Sequence, residues 1–423
     1  MTTATLVKPT HSRVRWTVCA LLFFATTINY VDRQVLSLLA KTLETKIGWD
    51  SIQYSYITSA FTAAYAIGLL TAGRVIDRLG TRKGFAIAIT VWSLAAIAHA
   101  AAVSAFTFGI ARAFLGLGES ANFPACIKTV AEWFPKKERA LATGIFNSGA
   151  NIGAVVAPLT VPWLAVTFGW QSAFIAAGAL GFLWLAFWLT MYAKPEQHPR
   201  ISADELALIR SDPADKAPSY PWLRLFPKKE TWAFAMGKFL TDPIWWFYLF
   251  WLPKYLQEAF SLSLTQITIP VLVVYNVSSV GSIGGGWLSG GLIKRGWSLN
   301  SARKTAMLIC AVAVLPVLYA PFCKNLWGVV ALISLATAAH QGWSANLFTT
   351  ASDMFPRAAV GSVVGIGGTV GAIGGVLVQL AAGEIVQLTH SYLPLFIFAG
   401  CGYLVALAII HGLSPKLTPA ELD

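Results

Sequence analysis

Long apolar segments recur along this chain, and they constrain its fold more than any other feature. About 20 mainly apolar residues are enough for a helix to cross the hydrocarbon core of a bilayer. The chain contains twelve such segments, over residues 15–39, 53–73, 84–104, 106–130, 140–166, 170–193, 231–256, 266–292, 303–321, 326–350, 357–383 and 391–412. The pattern predicts an all-α polytopic membrane protein with twelve transmembrane helices. A β-barrel would instead show short segments in which apolar and polar residues alternate.

Charged residues are few and unevenly distributed. They make up 12% of the chain, whereas a soluble domain carries about 25%. The formal net charge is +12, but the Lys and Arg residues concentrate on one side of the predicted membrane, which is the positive-inside pattern. We therefore expect an inner-membrane protein with both termini cytoplasmic, in contact with lipid and without a nucleic-acid partner. The five Cys residues are scattered and lack the spacing of a metal or redox site, so we expect no metal and no cofactor.

One long polar segment, 194–230, divides the predicted spans into two sets of six. It predicts an N-terminal six-helix bundle over 1–193, a cytoplasmic linker over 194–230 and a C-terminal six-helix bundle over 231–423. Within the linker, Ser202 and Glu205 match a capping box. This match predicts a short surface helix.

The two halves share sequence features at a constant register. "WFPKKERALATG" (133–144) and "MFPRAAVGSVVG" (354–365) align at an offset of 221 residues, and Gly153 aligns with Gly374 at the same offset. The agreement indicates an internal duplication and two pseudo-symmetric six-helix bundles. Duplicated bundles around a central site near the membrane midplane are typical of secondary transporters.

The loop after the second span has the sequence "GRVIDRLGTRKG" (73–84). Its first glycine would let helices approach closely, and its aspartate would cap or pair with a neighbouring helix end. The loop resembles the cytoplasmic gating loop of the major facilitator superfamily, which stabilises the outward-open state of those proteins. The resemblance assigns gating roles to Gly73, Asp77, Arg78, Gly80 and Arg82. In the second half, Lys294 stands where an aspartate would be expected, so no symmetric gating role is expected there.

Further motifs narrow the resemblance. Three first-half segments are similar to the anion:cation symporter branch: "NYVDR" (29–33), "ARAFLGLGESANFPA" (111–125) and "EWFPKKERALATGIFNSGANIGA" (132–154). Two second-half segments are most similar to bacterial hexuronate transporters: "DPIWWFYLFWLPKYL" (242–256) and "AAHQGWSANLFTTASDMFP" (338–356). The resemblance implies import of glucuronate or galacturonate with protons. Related aldonate and aldarate carriers share the first-half motifs and stay open as alternatives.

Ionisable residues inside the spans are costly, at about 2.5–3.5 kcal/mol each at the bilayer centre on insertion scales. They are Asp32, Arg33, Arg112, Glu119, Lys238, Asp242, His99, His340 and Glu384. Because Asp32 and Arg33 are about 100° apart on one helix, we expect Arg33 to face the central cavity and Asp32 to face Arg112. An Asp32–Arg112 ion pair that only orients two helices is the alternative to a functional role.

The resemblance gives these charges roles. It matches Asp32 and Glu119, with Arg112, to proton coupling, and Arg33 to a contact with the substrate carboxylate. An arginine suits that contact because its planar guanidinium binds a carboxylate through two parallel hydrogen bonds and stays charged.

A sugar acid also needs partners for its hydroxyl groups and ring. Our candidates are Tyr30, Tyr65, Trp246, Gln341, Asn346 and His340. For each of them the alternative is a helix–helix hydrogen bond, worth about 0.6 kcal/mol on average. His340 aligns with Glu119 at the 221-residue offset, where either a pH-dependent role or a neutral structural histidine is possible.

We therefore expect a proton-coupled symporter for a sugar-acid anion, working as a monomer by analogy with the superfamily. Sodium coupling and anion exchange on the same fold are alternatives. A transport-dead sensor is disfavoured because both coupling carboxylates are present. The chain has no phosphate-binding GxxxxGK[ST] loop and no HExxH or GxSxG motif, so ATP-driven transport and a membrane-embedded enzyme are disfavoured as well.

Overall fold

The computed structural model describes residues 13–211 and 222–421, and all regular structure within these ranges is helical. The first seven helices are α1 (Val14–Ile47), α2 (Ser51–Leu79), α3 (Thr81–Ala98), α4 (Ala105–Glu119), α5 (Asn122–Trp133), α6 (Lys136–Phe168) and α7 (Trp170–Met191). Two short helices follow, α8 (Ala203–Ile209) and α9 (Trp222–Leu225). The last six are α10 (Lys229–Phe260), α11 (Thr268–Lys294), α12 (Leu299–Val314), α13 (Leu326–Met354), α14 (Arg357–Thr389) and α15 (Leu393–Leu413).

Among the described residues, twelve helical segments are long enough to cross a bilayer. Within the described ranges, nine of them also meet a strict hydropathy criterion: α1, α2, α3, α6, α7, α11, α12 with the 3-10 turns that follow it, α14 and α15. The other three are α4 with α5, α10, and α13. α4 and α5 are each too short to span a bilayer alone, because the fourth segment is broken after Glu119. The predicted all-α polytopic fold is confirmed.

The fourth predicted span differs from expectation, because it is two helices rather than one. α4 ends at Glu119 and α5 begins at Asn122. Pro124 lies in the first turn of α5, where its missing N–H is tolerated, and its ring would clash with the carbonyl of Ser120 in a continuous helix. The break places Glu119 at the end of a helix in the middle of the membrane.

The pairwise packing of the helices repeats between the two halves. In the first half α1 packs on α6 and α7, α2 on α4, and α3 on α4 and α7. In the second half α10 packs on α14 and α15, α11 on α13, and α12 on α13 and α15. Each second-half pair is the counterpart of a first-half pair in chain order. The predicted pseudo-symmetry of two six-helix bundles is therefore present in the packing itself.

The repeated glycines explain one of these pairs. A Cβ atom at Gly153 of α6 would lie 2.5 Å from the carbonyl oxygen of Thr27 in α1, and a Cβ at Gly374 of α14 would lie 2.5 Å from that of Phe239 in α10. Both contacts are backbone to backbone, so only glycine allows them. The duplication thus preserves the same close helix contact in each half.

The predicted linker helix is present as α8. The Ser202 hydroxyl accepts a hydrogen bond from the Glu205 N–H at its start, and the Glu205 carboxylate also accepts hydrogen bonds from Val14 and Arg15 at the start of α1. Residues 212–221 of the predicted linker, 1–12 of the first bundle and 422–423 of the second lie outside the described residues. The bundle and linker boundaries stay predictions.

The two halves contact each other at the end where α1, α10 and α14 finish and α2 begins, a region that we call the seam. Its first-half residues are Glu44, Ser51, Tyr54, Ser55 and Thr58, and its second-half residues are Phe250, Lys254, Gln379, Gly383 and Gln387. The Tyr54 hydroxyl donates to the Phe250 carbonyl at 2.6 Å, and the Thr58 hydroxyl donates to Gln379 Oε1 at 3.2 Å. These contacts close the molecule at this end. Outside the seam lies a polar depression of about 990 Å³.

Candidate functional site

A buried ion pair joins α1 to the end of α4. Arg33 Nε lies 2.7 Å from Glu119 Oε2, and the exposed fractions of the two side chains are 6% and 0%. Glu119 is the last residue of α4. The pairing partner of Arg33 is thus a carboxylate that the sequence had matched to proton coupling.

Aromatic rings from both halves surround the Arg33 guanidinium. Its Cζ atom lies 4.9 Å from the ring centroid of Tyr30, 4.7 Å from that of Tyr65 and 5.6 Å from that of Phe61. Trp246 of α10 completes the group at 5.9 Å. A cation within about 6 Å of a ring face is attracted by the ring quadrupole. We call these five residues the Arg33 cluster. It contains four of the predicted substrate-binding residues, including all three that lie in the first half of the chain.

The expected pairing of Asp32 with Arg112 is wrong. The fully buried Arg112 guanidinium donates instead to the carbonyl oxygens of Arg33 at 2.9 Å and of Asp32 at 3.5 Å. Both carboxylate oxygens of Asp32 are buried and accept no hydrogen bond from the described residues. Arg112 therefore fixes the backbone of α1 beneath Arg33, and Asp32 holds a carboxyl group without a partner.

The second-half candidates form contacts within their own bundle. His340 Nδ1 lies 2.7 Å from the Tyr403 hydroxyl, and its ring stacks on Trp245 at 5.2 Å. The Asn346 amide donates to the carbonyl oxygens of Gly285 and Gly342, both at 2.9 Å. Gln341 is half-buried. None of the three belongs to the Arg33 cluster, so their predicted contact with substrate stays a prediction.

The predicted gating loop lies at the end opposite the seam. Asp77 pairs with Lys128 of α5 at 2.7 Å. This is the predicted kind of contact with a neighbouring helix. Arg82 donates to the carbonyl oxygen of Leu189 in α7. Gly80 has a φ of 78° between α2 and α3, a left-handed conformation that favours glycine, and Arg78 is exposed.

The expected close helix contact at Gly73 is absent. A Cβ atom at this position would meet nothing within 4 Å. The hydrogen bonds between the halves described above lie at the seam, at the opposite end of the molecule.

Comparison with known proteins identifies the family. The Major Facilitator Superfamily profile matches residues 22–379. The chain belongs to this superfamily. It is a multi-pass membrane transporter and not an enzyme.

Relatives of this major facilitator cover almost all of its length. It is 32% identical over 391 residues to the hexuronate transporter of Escherichia coli (strain K12), an alignment that covers 90% of each chain. It is 30% identical over 413 residues, covering 93% of this chain and 90% of the other, to a Bacillus subtilis (strain 168) protein named "Probable galactarate/D-glucarate transporter". A bacterial homologue of the human lysosomal transporter Spinster, solved in an inward-facing and occupied conformation, has the same fold, with a TM-score of 0.74, 17% identity and coverage of 96% and 97%.

The seam of this major facilitator was not predicted from its sequence. The ammonium of Lys254 lies 2.9 Å from Glu44 Oε2 and 3.1 Å from Ser51 Oγ across the seam. Its side chain is 1% exposed, although it lies near the end of a predicted span. A lysine near the end of a span ordinarily extends its ammonium to the membrane surface. The sequence pattern therefore did not distinguish Lys254 from such a surface lysine.

Proposed function

We propose that this transporter is a proton-coupled symporter that imports a sugar-acid anion, with a hexuronate such as glucuronate or galacturonate as its cargo. The observation that carries the proposal is the Arg33 cluster. It places one guanidinium among rings from both halves, next to a carboxylate. Similarity to named hexuronate and galactarate/glucarate transporters supports the class of cargo.

The Arg33–Glu119 pair offers a physical link between cargo and proton. A substrate carboxylate that binds the Nε edge of the Arg33 guanidinium competes with Glu119 for the Nε–H group, whose hydrogen bond Glu119 now accepts. A displaced, buried Glu119 carboxylate without a partner would be costly, and protonation removes that cost. Substrate and proton would therefore bind together, which is the requirement for symport.

Asp32 provides a second position for a proton. Its carboxyl group already has no hydrogen-bond partner among the described residues, and it lies one residue from Arg33 on α1. Arg112, bound to the carbonyl oxygens of both residues, would transmit a change at either side chain to the backbone of α1. We infer that Asp32 and Glu119 share the coupling role.

The membrane orientation follows from the charges. The basic gating-loop end would face the cytoplasm, as the positive-inside rule requires, with both termini on that side of the inner membrane. The seam would then face the outside. The arrangement described here would be closed to the outside, the state from which cargo is released inward.

Uptake into proteoliposomes tests the proposal. We expect radiolabelled galacturonate or glucuronate to accumulate when the outside is acidic, and a protonophore to abolish the accumulation. Accumulation that follows a sodium gradient, or exchange without net accumulation, would refute proton coupling. Saturable uptake of an aldonate or aldarate without uronate uptake would retain the sugar-acid class and refute the hexuronate cargo.

A further inference from the structure

α10 carries a second ion pair within the membrane that the coupling scheme does not use. Lys238 Nζ lies 2.7 Å from Asp242 Oδ2, and the exposed fractions of the two side chains are 9% and 21%. The two residues are four apart, so they lie one above the other on the same face of the helix. The chain therefore places two more charges at a depth where each is costly.

This pair is not a salt bridge between two helices, because both residues belong to α10. One neighbour on this face is α14, which packs through Gly371; a Cβ atom there would lie 2.6 Å from Asp242 Oδ2. Two apolar residues could pack at this contact without any insertion cost, so packing does not account for the charges.

Both members of the pair retain hydrogen-bonding capacity. Asp242 Oδ1 accepts no hydrogen bond from the residues that the structure describes, and it is not shielded from solvent. The Lys238 ammonium has three N–H donors; besides Asp242 it contacts the ring of Phe348, 4.4 Å from the centroid. The pair thus presents free acceptor and donor groups together.

The pair lies on the same face of α10 as the Arg33 cluster. Residues 238, 242 and 246 are spaced by four, and each step advances about 6 Å along the helix. Trp246, one turn beyond Asp242, is the α10 member of the cluster. Gly375 of α14 packs next to it, where a Cβ atom would lie 3.1 Å from Trp246 Cδ1. A continuous polar and aromatic row therefore leads from Arg33 to Lys238.

We propose that the Lys238–Asp242 pair binds the hydroxyl groups at the end of the sugar acid remote from its carboxylate, and that the Asp242 carboxylate excludes substrates with a second carboxylate. The inference rests on the proposed function. A hydroxyl group is both donor and acceptor, so it fits an ammonium and a carboxylate side by side. A second substrate carboxylate placed there would meet Asp242, and such like-charge juxtaposition strongly disfavours binding.

Competition for uptake tests this specificity. We would measure inhibition of labelled galacturonate uptake by unlabelled glucuronate, a monocarboxylate, and by glucarate, a dicarboxylate. In the wild type glucarate should be the much weaker inhibitor. In Asp242→Asn, which removes the repelling charge and leaves the Lys238 ammonium, the ratio of the two inhibition constants should shift about tenfold toward glucarate, equivalent to about 1.4 kcal/mol.

Two further variants complete the design. In the double variant Lys238→Gln, Asp242→Asn, neutral hydrogen bonds replace charge-assisted ones, and the KM for galacturonate should rise about tenfold. Asp353→Asn is the matched control, because Asp353 pairs with Arg303 at 3.1 Å in the same half and lies outside the proposed subsite. Its inhibition ratio should equal that of the wild type.

The outcomes separate the two proposals. If a variant does not transport, the same ratio is measured from the thermal stabilisation of purified protein by each acid. A ratio in Asp242→Asn that equals the wild-type and Asp353→Asn values would overturn the subsite alone. Preference of the wild type for glucarate would overturn both the exclusion and the hexuronate cargo, and no binding of any sugar acid would overturn the proposed function as well.

Discussion

Lys254 is expected to control the balance between the two transport conformations. Lys254→Met keeps the length of the side chain and removes the ammonium that binds Glu44 at 2.9 Å and Ser51 at 3.1 Å across the seam. Lys254 also pairs with Glu258 at 3.5 Å, but that residue lies on the same helix. Opening the seam therefore breaks the first two contacts and leaves the third.

The size of the effect follows from these contacts. A hydrogen bond to a charged group is worth about 1.5–3 kcal/mol. Glu44 is 22% exposed, and an open seam would return water to both partners, so we take the lower end of that range for the whole crossing interaction. A loss of about 1.4 kcal/mol is a tenfold change in an equilibrium. The variant should populate the seam-open conformation about ten times more.

Cysteine labelling measures this population. Ser55 is buried in the seam, where its side chain faces Gly383 of α14, so Ser55→Cys is shielded until the halves separate. With the five native cysteines replaced, a membrane-impermeant maleimide should react with this cysteine about tenfold faster when Lys254→Met is added. When closure is fast relative to labelling, the rate reports the open fraction.

Lys324→Met supplies the control for the change of charge. Lys324 is exposed at the same end, and no crossing contact depends on it among the described residues. When Lys324→Met is added to Ser55→Cys, the labelling rate of the cysteine should equal that of the parent Ser55→Cys protein. Equal rates for Lys254→Met and Lys324→Met would refute the assignment of the crossing contacts as a conformational lock.

Three other outcomes are expected. Arg33→Lys loses the planar, two-point contact with a carboxylate, so the KM for galacturonate in proteoliposome uptake should rise at least about tenfold, and an unchanged KM would remove this residue from the substrate site. Asp32→Asn and Glu119→Gln cannot take up a proton, so each should abolish accumulation driven by a pH gradient while counterflow exchange persists; full accumulation in either would exclude that residue from coupling. Gly374→Ala forces a Cβ atom against the backbone of α10 and should destabilise the protein by about 1–3 kcal/mol, seen as a lower Tm, whereas Gly368→Ala, with nothing within 4 Å, should not lower the Tm.

The fold could be predicted because lipid imposes one strong requirement on a chain. Every backbone group in the hydrocarbon core must be satisfied within a helix, so apolar length alone predicts the spans. Some helices nevertheless exceed the predicted segments: α2 begins after a capping box of Asp50 with Gln53 and ends at Leu79, just before Gly80. Where a helix begins and ends depends on capping residues in the polar region, and the length of an apolar segment does not reveal them.

The site could be predicted only in part. Four residues of the Arg33 cluster were expected: Arg33 from the family resemblance, and three aromatic residues as partners for the hydroxyl groups and ring of a sugar acid. The partners of Arg112 were not, because they are backbone carbonyl oxygens, which every residue has and no pattern marks. The same holds for Asn346, whose amide binds the carbonyl oxygen of Gly285. Helical geometry excluded a common direction for Asp32 and Arg33 but did not select the partner of either.

The two ends of the molecule show why a single pattern cannot predict conformation. At the gating-loop end Gly73 has free space around its Cα atom, so any requirement for glycine there arises in the conformation where that end closes. At the seam the buried Lys254 is satisfied by crossing contacts in the present conformation. Under the proposed transport by alternating access, one sequence would encode contacts for two arrangements that cannot form together. Their free energies would have to be close, so a crossing contact worth about 1.5 kcal/mol at the seam would be offset by other contacts, including those made when the gating-loop end closes.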